Sequence, residues 1–199
     1  MNFCKFNNLD TAGIVCYNSD MLSSSKERLM KILEKNIYSM PAPELAPFLL
    51  GKYLCRKNDG GEIFRLRITE TEAYFGEEDT ACHASHGRTP RTETLYLPGG
   101  YAYVYLCYGI HSLLNVVSGN EGHPEAVLIR GVEGFTGPGR LTKALHITRE
   151  QNARLLTPEN GLWIEDDDSP ALKYTASPRV GIDYAAEEDR TRPWRFKII

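Results

Sequence analysis

The stretch Phe64-Arg-Leu-Arg-Ile-Thr-Glu-Thr-Glu-Ala-Tyr74 constrains the fold of this chain most. Its alternation predicts a β-strand, with successive side chains on opposite faces. Phe64, Leu66 and Ile68 share one face, and Glu70, Glu72 and Tyr74 continue it. Arg65, Arg67, Thr69 and Thr71 take the other face, which reads as solvated. Two carboxylates and a phenol therefore extend an apolar row, and carboxylates are almost never buried without a partner. Either the strand leaves the core at Glu70, or that face opens into a polar cleft.

The flanking sequence supplies the rest of a sheet. Pro41 to Leu50 predicts a helix stopped by Gly51. Lys52 to Arg56 and Glu62 to Tyr74 predict a hairpin across Asn58-Asp-Gly-Gly61. Residues 75 to 97 read as a long polar loop, and so long a loop in a compact domain is usually functional or disordered. Tyr101 to Cys107 predicts a strand that ends in a sharp Tyr108-Gly109 turn, followed by strands over Leu113 to Ser118 and Ala126 to Glu133. Gly137-Pro-Gly-Arg140 opens a helix reaching His146, and Thr148-Arg-Glu-Gln151 has the form of a capping box. Short strands over Leu162 to Glu165 and Arg179 to Ile182 precede a basic-aromatic tail from Arg190 to Lys197. Residues 41–199 thus read as one domain. Residues 1–40 read as an extension, flexible over 1–22 and with a short amphipathic helix over Lys26 to Lys35.

Composition narrows the class. The five cysteines (Cys4, Cys16, Cys55, Cys82, Cys107) form no CxxC pair, which argues for free thiols and against a zinc site or disulfide framework. No run of 18 apolar residues and no signal-peptide pattern is present, so no membrane role and an intracellular location are expected. With a net charge of −3, any nucleic-acid partner would need a local basic groove.

Several residue groups could carry chemistry. Glu70 and Glu72 are either a strand end paired in solvent or a general base beside a substrate, and spacing alone does not choose. Side chains two apart on a strand lie roughly 7 Å apart, a separation also used by inverting carbohydrate hydrolases. Tyr101, Tyr103 and Tyr105 lie opposite Ala102, Val104 and Leu106. They are packing residues or a stacking platform for a flat ring such as a nucleobase. Tyr108, at a turn tip, is incidental or a wedge between base steps. His83 and His86 lack thiolate support for zinc and suit hydrogen bonding beside Arg88 and Arg91. Arg140 and Lys143 stand in the first turns of a helix, where cations are disfavoured, hinting at an anion such as phosphate. A non-catalytic reader of damaged DNA would keep the platform and the basic loops without needing Glu72.

In order, these segments resemble the alkyladenine (3-methyladenine) DNA glycosylases of the mammalian type over about Leu45 to Phe196. The resemblance rests on Leu49-Leu-Gly-Lys, Thr69-Glu-Thr-Glu-Ala-Tyr74 with Glu78-Asp-x-x-x-His83, Gly87-Arg-Thr-Pro-Arg91, Tyr103-Val-Tyr-Leu-x-Tyr-Gly109, Leu128-Ile-Arg130, Gly137-Pro-Gly139 and Arg179-Val-Gly181. It implies an α+β fold: a single domain with a curved, mainly antiparallel sheet flanked by helices and a protruding β-hairpin. By the same resemblance Glu72 is the base that activates water, with Arg130 and a backbone carbonyl at Val180 positioning that water. Tyr74 forms one wall of a base pocket and His83 with Tyr105 the other. Asn115 discourages guanine's exocyclic amine, and Tyr108 fills the gap left by a flipped nucleotide. Arg88, Arg91, Gly139, Arg140 and Lys143 belong to the DNA-binding surface. Ile110, His111 and Ser112 depart from the bulkier set of mammalian members. The implied reaction is hydrolytic release of alkylated purines (3-methyladenine and 7-methylguanine, with hypoxanthine and ethenoadenine as further candidates) from double-stranded DNA. No cofactor and no metal are implied, and a monomer is expected, in the cytoplasm of a bacterium or the nucleus of a eukaryote.

Overall fold

The computed structural model describes residues 30–199. Among them are ten strands and three α-helices. In chain order these are β1 (Lys31–Ile32), α1 (Ala42–Phe48), β2 (Tyr53–Lys57), β3 (Ile63–Phe75), β4 (Ala102–Cys107), β5 (His111–Val117) and β6 (Glu125–Val132). There follow β7 (Phe135–Thr136), α2 (Pro138–Ala144), β8 (Leu162–Asp166), β9 (Tyr174–Ser177), α3 (Glu187–Thr191) and β10 (Arg195–Ile198). The main path of the sheet runs β1-β8-β2-β3-β6-β5-β4, and β10 joins β3 to β9. Every pairing is antiparallel, so the fold is α+β as expected.

Strand β3 connects the two halves of the sheet. Residues 63–67 pair with β2, residues 68–75 with β6, and residues 70–72 also with β10. The register with β6 shifts between Ile68 and Thr71, which is a β-bulge. Each strand carries one extra residue there, Thr69 in β3 and Arg130 in β6, and an extra residue turns the side chains beyond it to the opposite side. Ile68 is fully buried in the main core; beyond the bulge Thr71 and Ala73 take over that face. The Thr71 hydroxyl donates to the Ala46 carbonyl of α1 at 2.8 Å. The expectation of a solvated Thr71 is thereby corrected. Glu70, Glu72 and Tyr74 do not continue the apolar row but turn to the opposite side of the sheet. The bulge resolves the contradiction in the sequence, since the apolar face stays apolar and the carboxylates face a cleft.

Tertiary pairing overrides local propensity at the start of the described chain. The helix expected over 26–35 is not formed where it can be seen, and residues 26–29, like the 1–22 segment, lie outside the described residues. Lys31 and Ile32 pair with β8, and the Leu33 amide donates to the Ile164 carbonyl at 2.8 Å. Leu33 and Tyr38 are buried in the main core, so residues 31–40 pack as part of the domain. The 75–97 segment is not a loose polar loop. It contains 3-10 turns at His83–His86 and Glu93–Tyr96, and Cys82, Ala84, Leu95 and Tyr96 make a second small core with Tyr103 and Val117. Thr148 and Gln151 do form a capping box, on a 3-10 turn. Arg179 to Ile182 is not a strand; that role falls to β9, just before it. The basic-aromatic tail holds the end of α3 and β10, which pairs with β3 at Glu70–Glu72.

The β4–β5 hairpin projects as expected. Tyr108 and Gly109 both have positive φ (50° and 71°), the pairing of conformations that suits the right-handed twist of a tight hairpin. Positive φ in a bulky aromatic is uncommon, and such strain concentrates at functional positions. Tyr108 is 92% exposed at the tip.

Candidate active site

Where β3, β5 and β6 meet the packed 75–97 segment, a cavity of about 740 Å³ opens. That is within the range of sites for small, flat ligands. Tyr74, His83, Tyr105, Asn115 and Arg130 all line it, together with Val180. The Tyr108 tip stands on its rim. Six residues spread over more than one hundred positions of sequence thus converge on one space.

The aromatic lining is fixed by its own contacts. His83 Nδ1 lies 3.0 Å from the Tyr103 hydroxyl, and its ring meets Tyr105 edge-on at 4.4 Å. Tyr103 and Tyr105 follow at 5.5 Å. Tyr101 does not line the cavity, so the platform of three tyrosines reduces to two tyrosines and a histidine. Burial and the nearby Arg91 guanidinium pull His83 down to about 4, which leaves a neutral imidazole at physiological pH. Asn115 is buried, and its Nδ2 donates to the Tyr103 carbonyl at 3.2 Å, tying the base of the cavity to β4.

Glu72 lies behind the cavity wall, fully buried, with three donors on it. The Val180 amide donates to Oε1 at 2.8 Å. The Tyr74 hydroxyl donates to Oε2 at 2.9 Å, and Arg130 Nη1 to the same oxygen at 3.3 Å. A carboxylate has about four lone-pair sites, so one remains for a water proton. Burial raises Glu72 above the ordinary carboxylate value; Arg130, the Val180 amide and Tyr74 oppose that rise. Val180 contacts Glu72 through its N–H, whereas the resemblance points to its carbonyl.

Glu70 has a different environment. Its Oε1 accepts from Arg130 Nε at 3.1 Å and from Arg195 Nε at 2.7 Å. The two carboxylates are therefore unlike: one is clamped between guanidiniums, while the other is presented from behind an aromatic cavity.

Sequence reading missed what holds Val180 in place. Arg179 Nη1 and Nη2 fork onto Asp79 at 2.5 and 2.8 Å, and both side chains are fully buried. The guanidinium also donates to the carbonyls of Ala73 (2.9 Å) and Asp189 (3.2 Å) and stacks between the Tyr74 and Trp194 rings. Asp79 and Arg179 stand in the quoted motifs, but nothing local pairs residues 100 positions apart.

The expected DNA-binding cations divide. Arg88 is engaged by Glu93 through two bonds of 2.8 and 2.6 Å at the surface. Arg91 lines the cavity beneath the Tyr105 ring, and Arg140 and Lys143 are exposed on α2. These three form no ion pair among the described residues. Gly139 lets α2 approach the hairpin: a Cβ there would sit 3.1 Å from the His111 side chain.

A buried carboxylate behind an aromatic cavity, flanked by an exposed aromatic tip and surface cations, suits a hydrolase that takes in a flat ring beside an anionic backbone. The Methylpurine-DNA glycosylase (MPG) family model matches residues 36–136 and 134–199, and the chain belongs to that family. It is 40% identical over 195 residues to an Arabidopsis thaliana protein named "DNA-3-methyladenine glycosylase", covering 88% of this chain and 74% of that one. It is 43% identical over 188 residues to a Methanocella arvoryzae protein named "Putative 3-methyladenine DNA glycosylase", covering 84% and 92%. The protein is thus a DNA repair glycosylase for alkylation damage.

Proposed function

We propose that this glycosylase flips a damaged purine out of duplex DNA into the aromatic cavity and hydrolyses its glycosidic bond with a water activated by Glu72. The observation that carries the reading is Glu72 itself: buried, held by three donors, and one hydrogen bond behind the Tyr74 wall. A base inside a duplex cannot present its glycosidic bond, so extrusion is required. The transition state resembles an oxocarbenium ion, which an adjacent carboxylate stabilises. Arg130 positions the water with Glu72. Tyr74 and Tyr105, with His83, stack on the base, and electron-rich rings favour the cationic ring of 3-methyladenine or 7-methylguanine. Such bases are good leaving groups and need little acid assistance. Hypoxanthine and ethenoadenine are neutral and need a hydrogen bond or proton at the leaving base. Asn115 screens out guanine, and Arg91, Gly139, Arg140 and Lys143 meet the phosphates, with Arg88 contributing once its Glu93 pair opens. The enzyme works as a monomer inside the cell, uses no cofactor and leaves an abasic site without cutting the strand.

Incubation with duplexes carrying single defined lesions tests this. Free alkylated purine should appear in the presence of chelator, and strand breaks only after alkali. Breaks before alkali would point to a lyase instead.

Tyr108 supports flipping by filling the vacated stack, which offsets part of an unstacking cost of a few kcal/mol. Tyr108→Ala should therefore weaken lesion capture in duplex DNA far more than in single strands, where no stack exists. Its single-turnover cleavage rate, once the base is bound, should stay close to the parent's. An equal loss on both substrates would make Tyr108 a pocket or folding residue.

The pH profile has a definite sign. A general base works only when ionised, and Glu72 is held above its ordinary value of 4.5 by burial. The rate should fall as pH drops through that raised value. His83, at about 4, stays neutral throughout the working range. An inflection near 6.5 that vanishes in His83→Gln would overturn this assignment.

A further inference from the structure

Behind the cavity, two carboxylates and two guanidiniums form a chain across three strands. Arg195 on β10 donates to Glu70, Arg130 on β6 donates to Glu70 and to Glu72, and both carboxylates stand on β3. The two guanidiniums are part-exposed, 27% at Arg195 and 16% at Arg130, while the carboxylates are buried, 6% at Glu70 and none at Glu72. Arg195 is also the direct cross-strand partner of Glu72 in the β10–β3 ladder. The base-activation scheme uses only the Glu72 end.

We propose that Glu70 and Arg195 are positioning residues for base excision: they divide the charge of Arg130 between two carboxylates and so set how firmly Arg130 grips Glu72. The proposal rests on Glu72 being the base. Charges within a few ångström of one another in a dry site couple strongly. Arg130 offers Nε to Glu70 and Nη1 to Glu72, so a change in one claim on the guanidinium changes the other. Arg195 shares the same Glu70 oxygen at the shorter distance, 2.7 against 3.1 Å, and thereby releases Arg130 toward Glu72.

The other groups facing Glu72 do not belong to this chain. They are the Tyr74 hydroxyl on β3 and the Val180 amide, with Arg179 and Tyr184 farther off on the segment after β9. They remain constant when Glu70 or Arg195 is changed.

The two ends predict opposite results. Arg195→Gln removes a positive charge and leaves Glu70 to Arg130 alone, drawing Arg130 from Glu72; Glu72 then keeps its proton to higher pH. Glu70→Gln preserves size and an acceptor but removes a negative charge and leaves Arg130 to Glu72; Glu72 then releases its proton at lower pH. A purely structural role would move both variants alike.

The test is a carboxyl-13C NMR titration of Glu72 in the full-length protein without DNA, paired with single-turnover excision of a 3-methyladenine analogue in duplex DNA against pH. The Glu72 midpoint should rise in Arg195→Gln and fall in Glu70→Gln by at least ~0.5 pH unit each, about threefold in proton affinity. The acid limb of excision should move with it, affinity for the lesion duplex should change by less than about threefold, and Arg195→Lys should restore parental behaviour. If Glu70→Gln does not fold, the Arg195→Gln and Arg195→Lys pair carries the test. Midpoints that stay at the parental value, or move in one direction, overturn the proposal and leave Glu72 as the base. Midpoints that move while the acid limb stays fixed overturn the assignment of Glu72 as base, and the proposal with it.

Discussion

Glu72→Gln should lower release of alkylated purine by at least ~100-fold, the low end for loss of a general base. The substitution keeps the size of the side chain and removes its proton-accepting charge. Capture of the lesion duplex should persist or tighten, because the change removes a negative charge and leaves the cavity lining and surface cations in place. The local hydrogen bonds show how the variant can fold. If the amide oxygen takes the Val180 N–H, the amide NH2 faces Tyr74 and Arg130. The Tyr74 hydroxyl can reverse and accept, while Arg130 cannot, so Arg130 shifts toward Glu70. The reverse orientation sets the NH2 against the Val180 N–H, which has no such freedom. A modest drop in melting temperature is therefore expected alongside a much larger kinetic loss. Single-turnover excision, duplex binding and thermal melting on one preparation separate these effects. If Glu70→Gln proved far more damaging to the rate than Glu72→Gln, the base would have been assigned to the wrong carboxylate.

The difference between these carboxylates was only half legible in the sequence. Alternation along Phe64 to Tyr74 marked the strand and the anomaly on it, because side-chain period is a local property. The bulge at Ile68 to Thr71 left no signal, since it exists only in the pairing of β3 with the sequence-distant β6. Without it, Glu70, Glu72 and Tyr74 were assigned to the wrong side of the sheet. The Tyr108 hairpin was legible, because a Gly with positive φ between two alternating strands specifies a turn locally. Arg195 was read as part of a tail. Its role depends on β10 filling an edge of β3, 125 residues away from Glu70. Leu33 and Tyr38 looked like an extension because their burial comes from contacts with distant core residues. The family resemblance collected the cavity-lining residues that local patterning could not, but it did not supply their hydrogen bonds.

Asp79→Ala should produce the largest loss of stability, about 3–5 kcal/mol, the cost of leaving a buried charge without its partner. Arg179 would keep only the carbonyls of Ala73 and Asp189. A neighbouring carboxylate, Asp189, already holds Thr80 through two bonds of 2.9 and 2.5 Å and Arg192 at 2.9 Å. Asp79 also accepts the amides of Phe75 and Ala81, so one backbone donor at the end of β3 and one in the segment after it lose their acceptor as well. Set against a typical total of about 5–15 kcal/mol, this is a large fraction. It corresponds to a fall in melting temperature of roughly 6–20 °C for a chain of this size. The functional effect should exceed the loss of folded protein. Arg179 immediately precedes Val180, whose amide fixes Glu72 at 2.8 Å, and it backs the Tyr74 ring at 4.8 Å. At a temperature where Asp79→Ala is still folded, its single-turnover excision should therefore remain depressed, and Asp79→Asn, which keeps one acceptor, should lose less of both. Urea denaturation gives the stability, and excision at saturating enzyme gives the rate. A loss below about 1 kcal/mol would mean that the Arg179 guanidinium escapes to water. A normal rate in the folded variant would mean that Val180 holds Glu72 without it.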